Sequence, residues 1–497
     1  MAGKGSMAGT SGMAGTGGMA GTGGMAGTGG MAGIGSVAGT GSVAGKNGVA
    51  GKNGVARPGT PGLTDMLARW LPHQRWFPGR GASLSELRIV SDVILRTGEP
   101  ALRHLIVETI LHGESARFQV LVGYRRDLPG ELAETIIGHH DGVACYDALH
   151  DPELADVLLC GITEQRLAEH LRFVREPSAP ALSALEPDAP GARVLRGEQS
   201  NTSLVFGEQA ILKFLRRLFP GANPDLEVAD ALARLGSVRV AAPYGWVETD
   251  LDGEPVLLAV LSEFLAGASD GWTLALAALT QGLSFTAQAR TLGQATAELH
   301  VDMARAFGSR DMTAAELSDL TAAMHSKLSD ALAVMPDLRE HEAAIRSAYD
   351  AVARLDQPVP VQRIHGDYHL GQVLYARQGW VALDFEGEPA VPLAVRRALA
   401  PALRDVAGML RSFDYAGRHQ LVDHLADERV ASVAADWVQQ CQQAFCAGYA
   451  ASGGADPDSH ATLLRALTLE KAVYEVIYEY RHRPSWLPIP LGYLAAA

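Results

Sequence analysis

The stretch Arg363–Pro389 reads RIHGDYHLGQVLYARQGWVALDFEGEP. Val361–Ile364 predicts a short strand that hands the chain to a loop opening with His365-Gly366-Asp367. A second apolar run, Trp380-Val381-Ala382-Leu383, predicts a strand that delivers Asp384 at its end. Asp367, Gln372 and Asp384 therefore sit on loops held by buried strands. That set suits phosphoryl transfer. One carboxylate can orient or deprotonate a hydroxyl, while a carboxylate and an amide oxygen can hold magnesium on phosphates. Glu386, two residues past Asp384, offers one more carboxylate.

The pattern H-G-D-x-H-x-x-Q followed by D-F-E resembles the catalytic and metal loops of the aminoglycoside phosphotransferase and choline kinase superfamily. The longer form, HGDYHLGQVL to LDFEGEP, is similar to actinobacterial maltokinases. An isolated HGD carries little information; the compound pattern, with its two aspartates 17 positions apart, is specific. The resemblance implies Asp367 as catalytic base and Gln372 and Asp384 as magnesium ligands, with Glu386 beside them. Most of the superfamily has Asn where this chain has Gln372, which keeps the amide oxygen on a longer arm.

Bulk composition bounds the alternatives. The 497 residues suffice for two or three domains, and 47% hydrophobic with 20% charged residues is a globular mix. A formal charge of −14 argues against a nucleic-acid binder and against an anionic membrane surface. Cys145, Cys160, Cys441 and Cys446 are too few and too irregular for a disulfide framework or zinc site. Reduced thiols, no apolar run long enough to span a bilayer and no secretory leader give the expectation of a cytoplasmic protein.

Residues 1–60 are dominated by a six-residue repeat, MAGTGG drifting to VAGKNG. It lacks the proline of collagen and the bulky apolar positions of a solenoid, so a disordered tail is expected. Order is expected from residue 61. LPHQRWFPGRG (Leu71–Gly81) resembles the signature that opens the maltokinase cap, with Arg80 in place of the usual Lys. Three alternating apolar runs (Leu87–Leu95, His104–Leu111, Phe118–Arg125) predict an antiparallel sheet, and Asp141–Leu159 a helix. The cap is taken as residues 61–160.

Residues 161–266 read as the N-lobe of a kinase-like fold. GEQSNTSLVFGEQAILKFLRRL (Gly197–Leu218) predicts strand, turn, strand, with Ser203 among small polar residues placed to meet phosphates. A lone strand lysine is usually a solvated charge. Here Lys213 precedes a capped helix carrying Glu227, and the resemblance implies the lysine–glutamate pair that grips the nucleotide. Val256–Leu265 predicts a buried strand, with Glu263 and Leu265 in the hinge that would meet adenine. Residues 267–497 read as a helical C-lobe. His300 is expected to be a packed helix histidine, and Arg404-Asp405 a surface pair or a brace for the metal loop.

The C-terminal LEKAVYEVIYEYRHRPSWLPIPL (Leu469–Leu491) spaces aromatic and acidic residues along a helix. Packed tyrosines and solvated glutamates would be the ordinary outcome. The segment resembles the maltokinase helix that lines the sugar pocket, which implies sugar contacts from Lys471, Tyr474, Glu475, Tyr478 and Arg483.

The expected fold is α+β, two-lobed and protein-kinase-like, with an N-terminal cap domain. The implied reaction transfers the γ-phosphoryl group of ATP, with Mg2+, to the anomeric hydroxyl of maltose. The resemblance also implies a link to a maltosyltransferase and a trehalose synthase in α-glucan synthesis. A kinase for another acceptor such as an amino sugar, or a kinase-like scaffold without activity, are the rival readings.

Overall fold

The computed structural model describes residues 62–78, 84, 86–111, 113–182, 191–195, 200–387, 392–419 and 428–496. The repeat tail, Arg80 and much of the proline-rich connection before residue 191 lie outside them.

The cap opens with α1 (Leu63–Trp70), whose buried face is Leu63, Met66, Leu67 and Trp70. The strands β1 (Leu87–Arg96), β2 (Ala101–Leu111) and β3 (Glu114–Arg125) form the expected antiparallel meander. They are joined by β4 (Ile136–His140) and β5 (Val143–Asp147) in the order β1-β2-β3-β5-β4. The helix expected over 141–159 is thus a strand first and a helix only from α2 (Pro152–Thr163). Period-two burial explains the difference. Cys145 faces the core under α1 while Tyr146 faces the opposite core, so both sides of β5 are covered.

A second sheet follows. It comprises β6 (Leu167–Ala168), β7 (Leu171–Arg175), β8 (Arg193–Val194), β9 (Thr202–Phe206) and β10 (Ala210–Phe214). Here β11 (Arg217–Leu218) leaves to pair with β3 of the cap, and α3 (Pro224–Arg234) crosses before β12 (Pro243–Leu251) and β13 (Glu254–Glu263). The sheet order is β6-β7-β12-β13-β10-β9-β8. The inner face of the cap sheet and this sheet share one apolar core, from Leu102 and Leu121 to Leu204 and Leu258.

Two buried polar residues tie the sheets together beside β10. Gln119 donates to the carbonyls of Leu215 (2.5 Å) and Leu258 (2.6 Å), so its oxygen accepts from His104 Nε2 (2.7 Å). Arg216 donates to Asp147 (2.5 Å) and Thr202 (2.9 Å), with its guanidinium 4.6 Å from the Trp76 ring centre. Burial drives the His104 imidazole down to about 4. The unfolded chain takes up that proton near pH 6.5 and the folded chain only near 4, so stability falls as pH drops through this window. The expected loss approaches about 3 kcal/mol. Unfolding curves of wild type and His104→Leu compared from pH 7.5 to 4.5 check it: the variant's stability should depend less steeply on pH.

The helical lobe begins with β14 (Ser269–Asp270), α4 (Gly271–Thr280), α5 (Thr286–Phe307), β15 (Ser309–Asp311), α6 (Ala314–Val334) and α7 (Glu342–Val352). The functional loops are framed by β16 (Pro360–Gln362), β17 (Val373–Ala376), β18 (Gly379–Ala382), α8 (Leu393–Arg396) and β19 (Ala400–Pro401). The chain closes with α9 (Leu403–His419), α10 (Glu428–Ala451), α11 (Ala461–His482) and α12 (Pro488–Ala496). The α5 and α10 backbones touch at Gly293 and Gly448: an added Cβ would lie 2.0 Å from the carbonyl oxygens of Phe445 and Arg290. That crossing brings Tyr449 to His300. Among the described residues no helix is long and apolar enough to cross a membrane.

Candidate active site

The loop after β16 is held from beneath by one carboxylate. Asp405, buried in the first turn of α9, accepts from the backbone amides of His365 (2.8 Å) and Gly366 (2.9 Å) and from His300 Nε2 (3.1 Å). His300 is packed, as expected, and its Nδ1 meets the Tyr449 hydroxyl at 2.9 Å. Burial pushes the Asp405 carboxyl up, but His300 and the amide donors outweigh it and hold the group below the usual carboxylate range. Asp405 therefore braces the catalytic loop and not the expected metal loop, and a surface pair is ruled out by its 1% exposure.

His365 joins the two loops. Its Nε2 donates to the Leu383 carbonyl (2.7 Å), so Nδ1 is free to accept from the Asp367 amide (3.3 Å). Gln372 is tied to the same strand pair, its carbonyl accepting from Leu383 N (2.9 Å) and its side-chain amide 3.4 Å from Asp384 Oδ2. Asp384 follows β18 with a positive φ of 63°, a conformation uncommon for a residue with a side chain, and this turns its carboxylate toward β10.

There Lys213 meets three carboxylates: Asp384 (2.7 Å), Glu386 (2.9 Å) and Asp225 (3.3 Å). Burial works against the ammonium, but these neighbours raise its pKa well above the ordinary lysine value. Lys213 draws Glu386 down, yet burial and the adjacent Asp384 and Asp225 leave that carboxyl higher than usual. Asp384, by contrast, is lowered: burial raises it, and Lys213 more than reverses the effect.

Glu227 does not pair with Lys213. It binds Arg397 (2.7 Å) and Arg363 (3.2 Å) instead. Asn223 caps α3 by accepting from Asp225 N and Leu226 N, which places Asp225 in the first turn facing the metal loop. Glu227 lies two residues on, about 200° around the helix, and so faces the C-lobe arginines. Asp225 also accepts from Phe385 N (2.8 Å), directly after Asp384. It is the site residue that sequence reading missed; its one signal was the N-cap, which fixes which of two acidic residues faces inward.

Ser203 is buried in β9 directly across from Lys213, not on a loop, and residues 196–199 lie outside the described set. Glu263 closes β13, its amide donating to Ala242 O (2.9 Å). The Leu265 carbonyl accepts from Ala268 N (3.1 Å).

On the other side of Asp367 stands α11. Lys471 Nζ lies 3.4 Å from Asp367 Oδ1 and 5.0 Å from the Tyr474 ring centre. Tyr474 and Tyr478 are half-buried and stacked, centroids 6.3 Å apart. Arg483 lies 5.2 Å from the Tyr478 ring and donates to Glu479 (2.7 Å). Glu475 is a correction. At 1% exposure it is closed off from any sugar and forms a buried pair with Arg411 (2.6 Å), because its position on α11 faces α9. Nor are the glutamates of this helix solvated: Glu470 pairs with Lys327 (2.6 Å) and Arg404 (3.0 Å), and Glu479 is fully buried.

A carboxylate beside one lysine, and a second lysine ringed by three acids, are groups of the kind phosphoryl transfer uses. The phosphotransferase enzyme family matches residues 191–439, and the maltokinase N-terminal cap domain matches residues 70–151. The chain belongs to the phosphotransferase enzyme family. This phosphotransferase is 33% identical over 349 residues to a glucosamine kinase of Streptacidiphilus jiangxiensis, covering 65% of this chain and 79% of that one. It is 30% identical over 338 residues to a glucosamine kinase of Mycolicibacterium smegmatis, covering 63% and 82%. A solved glucosamine kinase in complex with glucosamine, ADP and inorganic phosphate superposes with a TM-score of 0.63 at 25% identity, covering 88% of this phosphotransferase and 99% of that chain. The fold is α+β and kinase-like, two lobes under an N-terminal cap.

Proposed function

We propose that this phosphotransferase moves the γ-phosphoryl group of ATP to the anomeric hydroxyl of maltose, giving maltose 1-phosphate. The observation that carries the phosphotransfer reading is the Asp225, Asp384 and Glu386 cluster around Lys213, linked through His365 to the Asp367 loop. Three carboxylate oxygens within 4.8 Å of one another against one ammonium leave an excess of negative charge on hard oxygen ligands, a donor set that fits Mg2+. Asp384 and Glu386, with Asp225 and the Gln372 amide oxygen, would hold the ion. Bound Mg2+ neutralises phosphate charge.

Lys213 then exchanges part of its carboxylate contacts for phosphate oxygens. Glu263, which closes β13, and Leu265 just after it would offer their other backbone groups, the Glu263 carbonyl and the Leu265 amide, to adenine. Asp367 orients the acceptor hydroxyl and takes its proton. Tyr474 and Tyr478 present ring faces to sugar C–H groups, and Arg483 fixes the Tyr478 ring. A 1-phosphorylated disaccharide is an activated donor, so a maltosyltransferase is the class of enzyme that would consume it.

The resemblance of the α11 segment to the maltokinase sugar-pocket helix supports maltose; the glucosamine kinase relatives, one of which superposes on 88% of this chain, favour an amino sugar as the second reading. Phosphorus NMR of protein, ATP and Mg2+ with maltose, glucose or glucosamine in parallel separates them. An anomeric phosphate signal that requires maltose is expected. Reaction with glucosamine alone would overturn the acceptor while leaving phosphotransfer standing. Silence with all three sugars would move the search to other acceptors.

A further inference from the structure

Four charged side chains meet where α3 and β10 face the loop after β18. Lys213 Nζ lies 2.7 Å from Asp384, 2.9 Å from Glu386 and 3.3 Å from Asp225. One oxygen of each carboxylate lies within 4.8 Å of the others, so the ammonium stands at the focus of the acidic cluster. The acids are the fixed members of this group. Asp225 accepts from Phe385 N (2.8 Å) and sits in the first turn of a capped helix. Asp384 takes its direction from a left-handed backbone, and Arg396 holds the Glu386 carbonyl (2.8 Å). Lys213 is the adjustable one, an ammonium on a flexible four-carbon stem whose side chain is 23% exposed. Glu227, the other acid in the first turn of α3, is already taken by Arg397 (2.7 Å) and Arg363 (3.2 Å), so it is not open to receive the lysine.

Resting on the magnesium reading above, we propose that Lys213 is a built-in counter-ion that keeps the metal position closed until nucleotide arrives. A divalent cation held by the same three carboxylates would take the place of the ammonium, and two cations that close repel strongly in a partly buried site. Moving the ammonium aside without a new anionic partner leaves a buried charge unpaired, which is costly. Phosphate oxygens supply that partner. Nucleotide and metal therefore bind with positive coupling, each raising the affinity of the other by the same factor. Metal alone binds weakly, so the acidic cluster does not load before the phosphates whose charge it must offset.

The test titrates Mn2+, as a probe for Mg2+, into wild type, Lys213→Met and Lys213→Arg without nucleotide, following free Mn2+ by electron paramagnetic resonance. Lys213→Met is expected to bind Mn2+ about tenfold or more tightly than wild type, and Lys213→Arg, which keeps the charge, no more tightly than wild type. Adding Asp384→Asn to the Met variant should abolish the gain, which locates the ion in this cluster. The ADP affinity of wild type, read by calorimetry with and without Mn2+, should rise about tenfold or more with the metal. A Met variant that binds Mn2+ no more tightly than wild type, while ADP affinity still responds to the metal, overturns the role of Lys213 alone. If that variant does not fold, wild type decides: Mn2+ bound as tightly without ADP as with it overturns the proposal. No Mn2+ binding by any of the proteins, with an ADP affinity indifferent to Mn2+, overturns the metal reading together with it.

Discussion

Asp367→Asn is expected to lower kcat with maltose by about 10³-fold while leaving ADP affinity within about threefold. The substitution keeps the size of the side chain and removes the proton-accepting charge. It also reduces the 3.4 Å ion pair with Lys471 Nζ to a contact with a neutral amide oxygen. The loop itself does not depend on the Asp367 carboxylate. Its backbone is fixed by Asp405 through His365 N and Gly366 N, and its distance from the metal loop by the His365 link to Leu383 O. The proposed nucleotide side, Lys213, Asp225, Asp384 and Glu386, shares no side-chain hydrogen bond with Asp367 among the described residues. Steady-state kinetics with calorimetric ADP titration reads both halves of the prediction. A variant keeping more than about a tenth of wild-type kcat would remove Asp367 from the role of base, since general-base loss costs about 10²–10⁴-fold.

Arg411→Ala carries the second large effect, on stability. Arg411 is 1% exposed and joins Asp414 (2.7 Å) and Glu475 (2.8 Å from Nε), with its guanidinium 4.2 Å from the Tyr493 ring centre on α12. Its pKa lies above the ordinary arginine value, because the two carboxylates outweigh the penalty of burial. Removing it takes away the hydrogen-bonded counter-charge of buried Glu475 and leaves it only the weaker pull of Lys471, whereas Asp414 keeps Arg418 (2.8 Å). The expected cost is about 3–5 kcal/mol, read as a lower urea midpoint. The double variant Arg411→Met with Glu475→Leu should lose less, because removing both charges relieves the desolvation that each imposes. Equal losses in the single and double variants would show that packing against Tyr493, and not the ion pair, carries the effect. Helix α11 bears both Glu475 and the proposed pocket residues Lys471, Tyr474 and Tyr478, so the buried pair also helps fix the helix that carries them.

Local pattern was enough for much of this architecture. Alternation marked the cap meander, and the strand-loop periodicity around Asp367 and Asp384 marked the paired functional loops, because burial on alternate faces is written residue by residue. The same rule misled at 141–159, where β5 is covered on both sides and its apolar run lost the alternation that distinguishes strand from helix. Strand β12 carries no signal strong enough to stand out, yet it lies in the sheet between β7 and β13.

The residues proposed to carry the chemistry, Lys213, Asp367, Gln372, Asp384 and Glu386, stand out in the sequence because each belongs to a short stretch with fixed spacing. Their partners do not. Asp225 rather than Glu227 faces Lys213 because of where Asn223 starts the helix, a matter of helical phase against a loop about 160 residues away. Asp405 braces the catalytic loop, Lys471 meets the base and Glu475 turns inward to Arg411 for a related reason. Which side of α9 or α11 faces the site is set by how those helices pack on each other and on α5 and α6, and residues distant in sequence are matched only when the lobe closes. Sequence alone pointed to groups suited to phosphoryl transfer; the tertiary structure decided which charges oppose one another, because electrostatic partners depend on distance in space and not along the chain.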